Sequence, residues 1–419
     1  MITKSTLGTM AKDQLKEFES LDGTIRRSRL SKLAAYGGSA ALVIKGLRRC
    51  GKSTLLKQIV KLKFQDDFYY FNFDDERLTG FNAQEFQTLM EVLIEEFGTK
   101  RYAFFDEIQN IDGWELFVNR ILRDGYHVFI TGSNANLLSK ELGTHLTGRH
   151  IDIELYPFSF DEFLDAKGVK VQNGAHSTEE KARISRNFKE YFNMGGMPEV
   201  VTQKNEQVLT QLLNDIIQRD IVSRYNIRKP NELKSVIKFL IANAANEITY
   251  RSIRENFDIK SANTVQKYVD ATEETYLIFT VKRYDTKIKK LDKNARKVYC
   301  IDNGIITKNS PVMNERRGAM LENIIAVHLK RLGKEFYYYR GRSEAEADFV
   351  IPSERKAIQV CYEVNEDNRK REMDGLFEAM EHTKATDGVV ITFDQEGEIK
   401  WEKGRAVLIP AWQWLLEHK

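Results

Sequence analysis

Hydrophobic positions change rhythm several times along this chain. In the first thirty-odd residues Leu15, Phe18, Leu21 and Ile25 recur at roughly helical spacing between charges, which predicts helix. Ala40 to Ile44 is then a continuous apolar run ending in Lys45-Gly46, the pattern of a strand buried on both faces. Leu55, Leu56, Ile59 and Leu62 predict a helix from Ser53. Further strands are predicted at Phe68 to Phe73, Arg101 to Phe105, His127 to Thr131 and Ile151 to Leu155, with helices at Glu85 to Phe97 and Trp114 to Leu122. Strands alternating with helices predict a parallel α/β sheet.

After Phe163 the alternation stops. Residues 166–178 are polar and predict an exposed loop; Glu179 to Ile227 predicts helix, broken at Gly195-Gly196-Met197-Pro198. Asn231 to Asn246, Tyr250 to Phe257 and Ser261 to Tyr276 predict three helices, the last on a good N-cap. Strands at Leu277 to Tyr284 and Lys297 to Ile301 flank a charged loop. The last third predicts mixed α/β texture, with helices at 318–332, 370–382 and near 411–417 and strands at 335–340, 347–351, 357–361 and 387–393.

Composition narrows the class. The 419 residues can fill several domains, and 64 Lys+Arg against 61 Asp+Glu leave a net charge of +3, which excludes a polybasic tail protein but can hide a local basic patch. The longest apolar candidate, Leu33 to Ile44, is far short of the roughly 18 residues of a membrane helix. No apolar signal region follows Met1, and Cys50, Cys300 and Cys361 fit neither a disulfide framework nor a zinc spacing. The expectation is a reduced, cytoplasmic, soluble protein without a membrane partner.

Gly46-Leu47-Arg48-Arg49-Cys50-Gly51-Lys52-Ser53 matches G-x-x-x-x-G-K-[ST] between an apolar strand and a helix, the context a phosphate loop requires. Gly46 and Gly51 let the backbone aim successive N–H groups at phosphate oxygens, and the helix start adds its positive dipole end. The expected ATP-binding set is Gly46, Arg49, Cys50, Gly51, Lys52, Ser53 and Thr54, with Lys52 on the β- and γ-phosphates and the Ser53 hydroxyl on Mg2+. Cys50 reads as a small filler rather than a reactive thiol. Tyr102 to Glu107 is an apolar strand ending in two acids: Asp106 is expected to hold Mg2+ and Glu107 to deprotonate the attacking water, the plainer alternative being a helix cap. After the strand at His127 to Thr131, Asn134, with Ser133 close behind, is the candidate to sense the γ-phosphate or hold the water; capping of the next helix is the alternative.

These residues carry a resemblance. Gly46 to Ser53, Asp106-Glu107, Gly132-Ser133-Asn134 and Thr147-Gly148-Arg149 resemble prokaryotic AAA-type P-loop ATPases with a C-terminal domain of unknown function 4143. Leu155 to Phe163 is similar to the segment that closes that ATPase core, and Gly195 to Pro198 and Arg219-Asp220-Ile221 to its linker signatures. The resemblance implies that another strand separates the Asp106 strand from the phosphate-loop strand. It also implies that Arg149 touches the γ-phosphate, in cis or from a neighbouring subunit, with a surface salt bridge as the alternative. The fold class implied is multi-domain α/β: a P-loop ATPase with a parallel sheet, a winged-helix domain and a restriction-endonuclease-like C-terminal domain. The expected divisions are 1–36, an N-terminal helical segment; 37–165, the ATPase core; 166–230, a helical linker or lid; 231–302, the winged helix; and 303–419, the nuclease-like domain.

Between Lys282 and Lys297 basic residues outnumber acidic ones, an electrostatic footprint for duplex DNA. Lys287, Lys289 and Lys290 of the wing, with Asn263, Gln266 and Lys267 of the preceding helix, are the expected nucleic-acid contacts. A solvated loop or a protein-docking module is the alternative. The C-terminal third resembles the restriction-endonuclease core, with Glu322 on a helix and Asp348 on a strand. Gln359 and Cys361 stand where an acid and a lysine are needed, so nuclease activity is not expected unless Glu363 or Lys356 substitutes. The expected function is an ATP-binding, ATP-hydrolysing switch that moves a DNA-binding winged helix and an inactive nuclease-like domain. An ATPase scaffold or signalling protein with a protein partner is the alternative, and an active metal-dependent nuclease a lesser one. Oligomeric state is open.

Overall fold

The structure is a computed structural model that describes residues 2–20, 25–64, 66–134, 148–171, 177–285, 295–310, 316–341, 345–401 and 404–418. It divides into two units, residues 1–156 with Glu274–Tyr276, and residues 157–273 with 277–419.

The first unit is built on five strands: β1 (Ala41–Lys45), β2 (Phe68–Asn72), β3 (Tyr102–Asp106), β4 (His127–Gly132) and β5 (His150–Glu154). All pairings are parallel and the order is β2-β3-β4-β1-β5. β4 therefore lies between β1 and β3, the additional-strand order that the resemblance implies. β1 is buried throughout, as its apolar run requires. The register sets Lys45 beside Gly132, so the ends of β1 and β4 open at one edge, with Asp106 ending β3 beside them. Ligands of open parallel sheets bind at that carboxyl edge.

One face of the sheet packs against α1 (Lys4–Ser20), α4 (Phe86–Phe97) and α5 (Trp114–Arg123), with Leu7, Met10, Phe71, Phe105, Trp114 and Ile130 in a shared core. The N-terminal segment is thus part of this unit's core. The helix predicted through the first thirty-odd residues ends at Ser20, and a second short helix, α2, covers Leu30–Ala34. α3 (Lys52–Ile59) follows the phosphate loop and widens into a π-turn at Val60–Phe64. That turn brings Phe64 against Phe104 and Phe129, which stack at 4.5 Å.

The second unit starts with helices Phe160–Ala166, Thr178–Met194, Pro198–Gln203 and Gln207–Asp215. The break at Gly195-Gly196 has a packing cause. A Cβ on Gly196 would meet the Phe158 carbonyl oxygen at 2.2 Å, and one on Gly195 would meet Asp302 at 2.1 Å. Asp302 accepts from Gly196 N at 2.6 Å and from Gly304 N at 2.9 Å, so one buried carboxylate holds two turns.

Helices Pro230–Ala242, Tyr250–Asn256 and Ala262–Glu274 come with strands β6 (Asn246–Ile248), β7 (Ile278–Lys282) and β8 (Arg296–Cys300), which form an antiparallel sheet ordered β6-β8-β7. β6 corrects the sequence reading, which ran helix to Asn246. Ala245 takes a positive φ of 64° and turns the chain into the strand.

The C-terminal sheet is ordered β13-β14-β12-β11-β10-β9, from β9 (Tyr337–Arg340), β10 (Glu346–Ile351), β11 (Lys356–Val360), β12 (Asp387–Thr392), β13 (Gly397–Trp401) and β14 (Gly404–Pro410). Helices Arg317–Arg331 and Glu366–Thr383 pack on it. The β13–β14 hairpin is absent from the sequence reading. The fold class is multi-domain α/β, and among the described residues no helix is long and apolar enough to cross a membrane.

Candidate active site

Backbone shape comes first. Gly46 cannot be replaced without collision, because a Cβ there would lie 2.2 Å from the Leu155 carbonyl oxygen. Arg49 and Gly51 take positive φ values of 62° and 97°, which curl the loop into the N-terminus of α3. Cys50 is buried and burial raises its thiol pKa, so it is a filler. Arg27, which sequence reasoning passed over, braces the loop from behind: its buried guanidinium donates to the Cys50 carbonyl at 2.9 Å and to the Tyr156 carbonyl at 2.5 Å.

The side chains converge at the carboxyl edge. Lys52 Nζ donates to the Gly46 and Leu47 carbonyls and lies 3.1 Å from Glu107 Oε1. Burial alone would lower the Lys52 pKa; Glu107 first, with Cys50 and Asp106, reverses this and raises it. Burial likewise opposes ionisation of Glu107, but Lys52 and the Gln109 amide, 2.6 Å from Oε2, pull its pKa down to about 2. Glu107 is therefore a carboxylate at neutral pH. Ser133 Oγ donates to it at 3.0 Å, so the residue beside the proposed base is Ser133; Asn134 is buried one position on.

Asp106 is buried, and burial followed by the charge of Glu107 raises its pKa. It has hydrogen bonds from Ser53, from Thr131 Oγ1 and from Tyr70 at 3.2 Å. Thr131 also accepts from Glu107 N at 3.0 Å, tying both acids to β4. Sequence reasoning missed Thr131 and Tyr70 as site residues; the carboxyl end of β4 was the available signal for Thr131, whereas Tyr70 sits in the middle of β2 and gave none. The Ser53 hydroxyl and Asp106 carboxylate are hard oxygen donors suited to Mg2+.

Arg149 is not brought to this edge. It is exposed, donates to Asn119 at 3.3 Å, and precedes β5, where His150 pairs with Ala41 at the start of β1. The four steps from Ala41 to Lys45 span about 13 Å. Of the alternatives left open above, this placement speaks against a contact in cis.

Asn263, Gln266 and Lys267 lie exposed on one face of Ala262–Glu274, while Val265, Tyr268 and Val269 are buried on the other. Lys287, Lys289 and Lys290 lie outside the described residues. Lys297, counted with the basic hairpin, is instead buried against Glu322 and Asp348. Gln359 donates to Glu372 at 2.6 Å, Glu363 is exposed, and Lys356 opens β11 on the face opposite Gln359. Neither candidate replacement reaches the acids.

The model of an AAA domain matches residues 38–164, and two domains of unknown function, DUF8612 and DUF4143, match 185–316 and 317–414. An uncharacterized protein of Methanocaldococcus jannaschii is 36% identical, across 90% of this chain and 88% of its own. One of Haemophilus influenzae is 33% identical, across 83% and 85%. Among solved structures, AMPPCP-bound DnaA from Aquifex aeolicus is 14% identical over 64% of this chain and 88% of its own, with a TM-score of 0.24, too low to bear on function. The AAA-type domain supports nucleotide binding at the loop described above. Carrying that domain at its start and DUF4143 at its end, and alike the archaeal relative over nearly its full length, the chain belongs to the family of AAA-type ATPases with a DUF4143 C-terminus.

Proposed function

We propose that this chain is an ATP-hydrolysing switch whose nucleotide state controls a DNA-binding winged helix. The observation that carries the reading is the meeting of Lys52, Glu107, Ser133 and the Ser53–Asp106 pair at one sheet edge. In this reading ATP displaces Glu107 from Lys52, freeing the ammonium for the β- and γ-phosphates. Glu107, ionised and steadied by Ser133 and Gln109, accepts the proton of the attacking water. Ser53 and Asp106 would hold Mg2+, whose charge stabilises the phosphate oxygens. Arg149, at the opposite edge, can serve only a phosphate on another copy of the chain, so turnover would require assembly.

The winged helix would present Asn263, Gln266 and Lys267 to a duplex groove, with Lys287, Lys289 and Lys290 on phosphates. The docking of another protein is favoured by one observation: Lys297 is turned inward, which removes a cation from the basic face. A gel shift with generic duplex DNA over a salt series, run with and without ATP on Glu107→Gln, decides between them. Affinity that falls steeply with salt and changes with ATP supports the DNA switch. No binding at low salt in either state rejects it.

A further inference from the structure

A nuclease-like centre implies a divalent metal between Glu322 and Asp348, and the residues in place do not fit one. Lys297 Nζ lies 2.9 Å from Glu322 Oε1 and 3.0 Å from Asp348 Oδ1, and also pairs with Glu346. Only 4% of the lysine side chain is exposed, and the Tyr338 ring faces its ammonium at 5.7 Å. The ammonium occupies the point that the two carboxylates share.

Two of the acids' oxygens are also held by other partners. Tyr299, two residues along the same face of β8, donates to Glu322 Oε1 at 2.6 Å. The second oxygen of Asp348 accepts from Val360 N at 2.9 Å. Gln359, brought opposite Asp348 by the β10–β11 register, contributes no charge, and its buried Oε1 has no hydrogen-bond partner among the described residues. Among the described residues, no three His, Cys, Asp or Glu side chains are arranged to hold a metal ion.

The lysine is held in place. β8 is the middle strand of its sheet, paired on both sides, and Asn323 clamps both the N–H and the carbonyl of Cys300 at 2.8 Å. Burial alone would lower the Lys297 pKa, but Glu322, Asp348, Tyr299 and Glu346 together raise it well above the usual lysine value. Burial, then the charge of Asp348, pushes Glu322 up to about 8, opposed by Lys297.

We propose that Lys297 is a built-in cation standing where a nuclease would hold its metal, closing the centre to divalent ions and fixing β8 to the C-terminal sheet. The proposal rests on the nuclease-like reading of the C-terminal third and is independent of nucleotide hydrolysis.

The test uses the full chain without nucleotide. Wild-type melting should be the same in EDTA and in about 1 mM MnCl2. Lys297→Ser should lower the melting temperature by roughly 5 °C or more, because it leaves buried carboxylates without their cation. MnCl2 should restore part of that loss, and Asp348→Asn added to Lys297→Ser should abolish the restoration. Wild-type stabilisation by Mn2+ that Asp348→Asn removes, or a folded Lys297→Ser variant blind to Mn2+, overturns the proposal. Should Lys297→Ser fail to fold, acetylation footprinting of the wild type decides: Lys297 should stay protected relative to Lys267 with or without MnCl2. Labelling of Lys297 that rises with MnCl2 overturns it.

Discussion

Replacing Glu107 by Gln should move binding and turnover in opposite directions. The carboxylate is 3.1 Å from Lys52 Nζ and accepts from Gln109 at 2.6 Å and Ser133 at 3.0 Å. Its pKa falls from 4.5 to about 2, a difference worth roughly 3 kcal/mol. Because the folded value is depressed, this stability is present above pH 4.5 and lost as pH falls towards 2. At neutral pH the nucleotide-free variant should therefore lose up to roughly 3 kcal/mol. ATP restores negative charge beside Lys52 without first having to break an ion pair, so its affinity should rise, by about tenfold. Turnover should fall at least roughly a hundredfold, about 2.7 kcal/mol of barrier, as for a lost general base. Calorimetric ATP titration and a phosphate-release assay on the same preparation measure both. Affinity that weakens alongside turnover, or turnover at the wild-type rate, refutes the reasoning.

Other outcomes follow from the same geometry. Gly196→Ala should cost roughly 3 kcal/mol or more, since its Cβ meets the Phe158 carbonyl and disturbs the bond to Asp302; a denaturant melt of the second unit reads this. Burial, then Arg331, lowers the His328 pKa from 6.5 to about 3, so its contribution is whole above 6.5 and lost as pH falls towards 3. His328→Gln should flatten the pH dependence of stability in that window. If the winged helix grips duplex DNA, Lys267→Glu should weaken binding and reduce the salt slope by about one. Plasmid and single-stranded DNA should stay uncut with Mg2+ or Mn2+; cleavage abolished by Asp348→Ala would restore the nuclease class.

The nucleotide half of this architecture was legible because its signals are local. A glycine pattern between an apolar strand and a helix, and an apolar strand ending in two acids, mark the elements and the loop within a few residues. The rest depends on partners distant in sequence. Thr131 reads as an ordinary strand end until β4 is placed beside β3. Arg27 looks like one more charge in a polar segment until its guanidinium reaches the Cys50 carbonyl. Lys297 looked like a wing cation because net charge carries no direction, yet period-two alternation puts it on the same side as Tyr299, which is fully buried. The β13–β14 hairpin escaped because Val407, pointing outward, breaks the apolar–polar alternation of Ala406 and Leu408.

The most direct test of the central claim is calorimetric titration of Mg-ATP into the wild-type chain and into Lys52→Ala. A single ATP per chain should bind the wild type, and the variant, lacking the cation that reaches the phosphates, should show no measurable binding while remaining folded by circular dichroism. Equal affinity in the two proteins would place the nucleotide elsewhere and contradict the account.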